Sequence, residues 1–67
     1  MDTTEQKIRR FMAETGADGV TVDFRDGPDN TLVCEVDARS NWSEWGPVEA
    51  ATLDEALAAL PATRVAR

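Results

Sequence analysis

The chain reads as a small α+β domain in the order α-β-β-β-α, a three-stranded antiparallel sheet with two helices packed on one face. Three patterns carry this reading. Apolar residues recur at helical spacing near the start, they alternate strictly over residues 20–25, and a capped apolar stripe closes the chain.

The first helix covers residues 3 to 15. Ile8, Phe11, Met12 and Thr15 fall at i, i+3, i+4 and i+7, and either Thr3 with Gln6 or Asp2 with Glu5 can form a capping box. Gly16 supplies the C-terminal stop. In the strand that follows, Val20, Val22 and Phe24 share one face while Thr21, Asp23 and Arg25 share the other. Asp26-Gly27-Pro28-Asp29-Asn30 is a turn cluster, because Gly and Asn tolerate positive φ and Pro fixes its own. A second strand turns Leu32, Cys34, Val36 and Ala38 inward and Val33, Glu35 and Asp37 outward, so the two strands make a hairpin.

The third strand, from about Trp42 to Ala50, is irregular. Trp42 and Trp45 have opposite parity, and Gly46-Pro47 interrupts the run; a bulge or an edge position reconciles the pattern. In the last helix Thr52 is the N-cap, Glu55 stands three residues on, and Leu53, Ala56, Leu57 and Leu60 form one stripe ended by Pro61. Residues 1–61 thus form one domain, and 62–67 a flexible basic tail.

Size bounds the function. A core drawn from 67 residues supplies no more than about 3–5 kcal/mol, so a partner or a second copy would add stability. The lone Cys34 excludes an internal disulfide and reads as a small buried residue rather than a reactive thiol. No signal-peptide core and no membrane-length apolar run occur, so a soluble cytoplasmic protein with no membrane role is expected.

Charge is the most informative property. Residues 14 to 37 hold Glu14, Asp18, Asp23, Asp26, Asp29, Glu35 and Asp37 against Arg25 alone, which accounts for the whole net charge of −6. Cross-strand neighbours project together, so Asp23, Glu35 and Asp37 should cluster on the sheet face the helices leave open. Two explanations fit, a solvated sheet face and a binding surface. The tryptophans add to the second: one anchors the core, and the other stands partly exposed as an interface residue unless both are buried.

Catalytic chemistry is hard to find. There is no His or Tyr, the one Lys (Lys7) lies on a helix flank, and no nucleophile, phosphate-loop or zinc spacing appears. Asp23, Asp26, Asp29 and Asn30 offer oxygens around a turn, but at intervals of three rather than the alternate positions of an EF-hand, and position twelve from Asp23 is Cys34. Neither an enzyme, nor a metal, nor a cofactor is expected.

The topology resembles the double-stranded RNA-binding domain, which also runs α-β-β-β-α. That family binds RNA through basic residues at the start of its second helix, where this chain has Thr52-Leu53-Asp54-Glu55. An acidic surface repels phosphates, so direct nucleic-acid binding is not expected. The segment from Ala51 to Leu60, with its Thr52-Leu53-Asp54-Glu55-Ala56 opening after a strand, resembles the strand-to-helix step of HicB-type antitoxins over about ten residues. That resemblance implies a regulatory partner protein contacting its target through the second helix and a strand edge.

The first expectation is therefore a non-enzymatic protein-interaction module that binds a basic surface of a protein partner, in the manner of nucleic-acid mimics and phage inhibitors such as anti-CRISPR proteins. Asp23, Asp26, Asp29, Glu35, Asp37, Glu44, Trp42 and Trp45 are its candidate contacts. The antitoxin-like partner is the alternative. A homodimer is the third reading; carboxylates facing carboxylates would be costly, so an edge strand or the helices make the better seam.

Overall fold

The structure, a computed structural model, describes residues 2–67. Helix α1 spans Thr4–Thr15. The capping box uses Thr3, whose hydroxyl accepts from the Gln6 amide while the Gln6 side chain accepts from the Thr3 amide. Gly16, at φ 79°, closes the helix in the left-handed conformation with its N–H on the Met12 carbonyl. Phe11 is the buried residue of this helix, with Ile8 and Met12 half-buried beside it.

Strands β1 (Gly19–Asp26) and β2 (Leu32–Arg39) form the hairpin in unbroken register, Gly19 opposite Arg39 through Asp26 opposite Leu32. A single 3-10 turn at Pro28–Asn30 joins them, with Asp29 and Asn30 both near φ 60°, a conformation short polar side chains tolerate. Strand β3 (Ser43–Ala50) pairs with β2 antiparallel, Arg39 with Glu44 and Ala38 with Trp45, until the register slips by one residue between Ala38 and Val36. The slip falls at Gly46-Pro47, where the peptide bond is cis. This is the bulge that the Gly46-Pro47 interruption allowed for; it does not reconcile Trp42 with Trp45, because Trp42 lies in the turn before β3 and the slip comes after Trp45. Beyond it Val36 faces Val48 and Cys34 faces Ala50.

Helix α2 (Leu53–Ala59) starts at Thr52, whose Oγ1 accepts from the Glu55 amide. It does not simply stop at Pro61. The chain tightens into a 3-10 turn at Leu60–Thr63 with Pro61 in its first turn, where the missing N–H leaves no helix bond unmade. Strand β4 (Val65–Ala66) then pairs with Ser43 and Glu44. The sheet has four strands in the order β1-β2-β3-β4, not three, and two 3-10 turns join the two helices. Residues 62–67, expected as a loose tail, finish that turn and supply the fourth strand. The short apolar step Val65-Ala66 is too brief for alternation to reveal it.

Helices lie on one face of the sheet only, and the molecule is 16 Å across its thinnest direction, enough for two layers. Between them sit Phe11, Ala17, Cys34, Val36, Ala38, Trp45, Leu53, Ala56 and Leu60. Phe11 and Trp45 meet edge to face with centroids 6.3 Å apart, which ties α1 to β3. Lys7 Nζ sits 3.0 Å from Asp54 and bridges the helices at the surface, a minor contribution next to the packing.

The bulge is packed, not loose. A Cβ on Gly46 would lie 2.8 Å from Leu60 Cδ1 and 2.8 Å from the Val36 carbonyl oxygen, whereas one on Gly16 would meet nothing within 4 Å. Both glycines have positive φ. We therefore expect Gly46→Ala to cost about 2–4 kcal/mol in urea unfolding, from backbone strain plus overpacking, and Gly16→Ala about 1 kcal/mol from backbone strain alone. Equal losses at the two positions would refute this account of the bulge.

Candidate functional site

The open face of the sheet is built by parity. Thr21, Asp23 and Arg25 of β1 stand opposite Asp37, Glu35 and Val33 of β2. Past the bulge Glu49 stands opposite Glu35, and at the other end Glu44 stands opposite Arg39. Five carboxylates (Asp23, Glu35, Asp37, Glu44, Glu49) thus share one uncovered face with two guanidinium groups, Arg25 and Arg39.

The two bases do not neutralise that face evenly. Arg25 reaches across β2: its Nη1 lies 3.4 Å from Glu35 and 4.0 Å from Asp23, and its Nη2 pairs with Glu49. The hydrogen bond and charge of Glu49 chiefly hold the Arg25 pKa above its ordinary value, and Glu35 and Asp23 add to this. Arg39 lies over the backbone of Gly19 at the other end. Glu44 pairs at 3.5 Å with Arg67 of the C-terminal segment. Asp37 has no ion pair among the described residues and, with Thr21 and Pro47, lines a shallow depression of about 320 Å³ above the bulge. Arg39 and Glu44 line the same depression, so the face carries five acids against two bases, with Asp37 midway along it between Arg25 and Arg39.

The candidate contacts divide among four places. Asp23, Glu35, Asp37 and Glu44 lie on the open face. Asp26 ends β1 and Asp29 sits in the hairpin turn, both exposed at one end of the sheet. Trp42 lies at the opposite end, in the turn before β3, roughly 25 Å away along strands of this length. The eight residues do not form one constellation. Trp45 is 3 % exposed and belongs to the core, whereas Trp42 is 78 % exposed.

Backbone and neighbouring side chains hold the turn around Trp42. The Trp42 and Ser43 amides donate to Ser40 Oγ, and the Trp42 carbonyl accepts from the Arg67 amide at 2.8 Å. Arg64 Nε donates at 2.8 Å to the buried Ser43 hydroxyl. The basic residues of the chain end are thereby committed to fastening β4.

Arg39 continues the outward parity of Glu35 and Asp37, whereas Glu49 carried no sequence signal of its own. The parity of an unbroken strand from Trp45 would turn Glu49 inward; only the extra residue at Gly46-Pro47 turns it out.

The stripe of α2 resembling the antitoxin helix packs inward through Leu53, Ala56 and Leu60. Among the described residues no helix is long and apolar enough to cross a membrane, and no group of three or more Cys, Asp or Glu residues is arranged to hold a metal ion. Comparison with protein-family models, curated proteins and solved structures returns no match.

Cys34 lies beneath this face, fully buried on its helix side. Burial, and secondarily the charge of Asp23, push its thiol pKa up. Above about pH 8.5 the unfolded chain begins to lose this proton while the folded chain keeps it. Stability contributed by Cys34 is therefore complete below that pH and declines above it. We expect the stability difference between the wild type and Cys34→Ala to shrink between pH 8 and pH 10 in paired urea titrations; a constant difference would contradict the assignment.

Proposed function

We propose that this chain is a non-enzymatic interaction module whose acidic sheet face docks on a basic surface of a protein partner. The observation that carries the reading is the composition of that face: five carboxylates from three adjacent strands, with Arg25 already shared among three of them and Asp37 without an ion pair among the described residues. Adjacent strands lie about 4.8 Å apart, and alternate residues along a strand about 6.8 Å apart. Rows of carboxylates at such intervals can meet a groove lined with lysine and arginine much as a phosphate backbone does. A nucleic-acid-binding protein inhibited by mimicry, as in phage inhibitors of the anti-CRISPR kind, is the partner class this favours. Phosphates are repelled by the same face, so nucleic acid is a competitor for the partner and not a ligand.

Nothing in α2 favours the antitoxin-like reading. Its apolar stripe is used in the core, and its exposed start carries Asp54 and Glu55. Trp42 stands beyond the end of the open face and can add an apolar contact at its rim.

The test is a binding panel of purified basic nucleases and DNA-binding proteins against the full chain. Capture of a true partner should weaken steeply between about 0.05 and 0.5 M salt, and a DNA duplex should compete with it. Asp37→Lys and Glu44→Lys together should abolish capture; both side chains are exposed, and circular dichroism checks that losing the Arg67 pair of Glu44 leaves the fold intact. Binding that survives both reversals and high salt would overturn the proposal.

A further inference from the structure

The two edges of the sheet are finished differently. Along the outer edge of β3, Trp42 and Glu44 are paired by the C-terminal segment, the Gly46 amide donates to Thr63 Oγ1 at 2.6 Å, and Pro47 has no N–H to leave unpaired. Along β1 nothing comparable occurs. The Gly27 amide bonds to the Thr31 carbonyl within the register of the hairpin, so residues 27, 25, 23 and 21 direct their N–H and C=O groups at β2. By alternation Val20, Val22, Phe24 and Asp26 direct theirs away from the sheet. No other backbone segment among the described residues bonds to them, and β1 is terminal in the strand order. A free edge of this length ordinarily seeks a partner strand.

We infer that this edge pairs antiparallel with the β1 edge of a second copy, about a two-fold axis at Phe24. The charges select that register. Only pairings between outward-directed residues satisfy the backbone, which leaves shifts of two as the alternatives. An axis at Asp23 would set Asp23 against Asp23 of the second copy, and an axis at Val22 would bring no opposite charges together. With the axis at Phe24, Asp23 of each copy stands opposite Arg25 of the other in a close non-hydrogen-bonded pair on the open face, so that Arg25 gains an acid from the second copy besides the three of its own sheet. Asp23 has room for this contact, being exposed and 4.0 Å from its own Arg25.

On the helix side the same axis joins Phe24 to Phe24 of the second copy. Phe24 and its diagonal neighbour Leu32 are each 52 % exposed, two of the largest apolar side chains left open in the monomer. Phe24 with itself, and Val22 with Asp26 in both directions, would give about six main-chain hydrogen bonds. The pairing leaves each acidic face open and sets the two side by side in one continuous eight-stranded sheet. It depends on the edge of β1 and not on what the open face binds.

The register is tested by cysteine cross-linking of the full chain under mild oxidation. The native Cys34 is the hairpin partner of Phe24, so both cysteine variants are made in a Cys34→Ala background to exclude an intramolecular disulfide, and Cys34→Ala alone serves as the uncross-linked control. Hydrogen-bonded opposed residues have Cα atoms about 5.5 Å apart, within disulfide range, so Phe24→Cys should yield disulfide dimer at roughly ten times the level of Val20→Cys, whose copies would stand about 27 Å apart. In parallel, wild-type protein should sediment as a concentration-dependent dimer. Val22→Pro, which removes an N–H the monomer does not use, should sediment as a monomer with unchanged circular dichroism. Equal cross-linking at positions 24 and 20, or a wild type that stays monomeric up to about 1 mM, a concentration at which even weak pairing would register, would overturn the inference.

Discussion

A single inserted residue at Gly46-Pro47 decides which side chains of β3 meet the helices and which meet solvent. Before it Trp45 turns inward against Ala38 and Phe11; after it Val48 and Ala50 turn inward against Val36 and Cys34. Glu44 and Glu49 therefore both face out, although an unbroken strand would place them on opposite faces. The insertion is held on three sides, by Leu60 and the Val36 carbonyl around Gly46 and by Thr63 on its amide. Thr63 also donates to the Leu60 carbonyl, so the same hydroxyl sets the 3-10 turn that leads into β4. Core, fourth strand and acidic face share this one constraint.

The distribution of charge follows from that geometry. The net charge of −6 is not a uniform coat, because most of the basic residues are committed to structure: Lys7 to α2, Arg64 to Ser43, Arg67 to Glu44 and Arg25 to the acids of its own sheet, while Arg39 lies on the open face beside Gly19. Among the described residues, Asp37 is the carboxylate of the open face without an ion pair. So concentrated a field, in so small a molecule, affects encounter with other charged surfaces more than it affects folding. The two-layer build leaves the face uncovered, and β1 leaves it extensible.

Much of this was legible in the residues themselves. Capping pairs and apolar spacing marked both helices, and alternation over residues 20–25 and 32–38 marked the hairpin together with the outward set Asp23, Glu35 and Asp37. The interruption at Gly46-Pro47 marked the place of the bulge; the parity conflict between Trp42 and Trp45 did not, because Trp42 lies in the turn before β3. Three things were hidden. Val65-Ala66 is too short to show a strand period, and its pairing depends on a turn that brings it back over β3. Glu49 has no outward parity until the register slips. Trp42 and Asp29 look like neighbours of the acidic cluster in a linear reading, yet the antiparallel strands carry them to opposite ends. Local patterns report which face a residue takes; distances along the sheet depend on long-range pairing that no local window contains.

The central claim is that the surplus negative charge acts as one surface. It is tested most directly by following backbone amide chemical shifts while an oligo-arginine peptide is added at low salt. Shifts confined to residues 21–25, 33–39 and 44–49, largest near Asp37, are the expected result. Shifts spread evenly over the helix acids Asp2, Glu5, Glu14, Asp54 and Glu55 would contradict it, and would reduce the face to an ordinary solvated sheet.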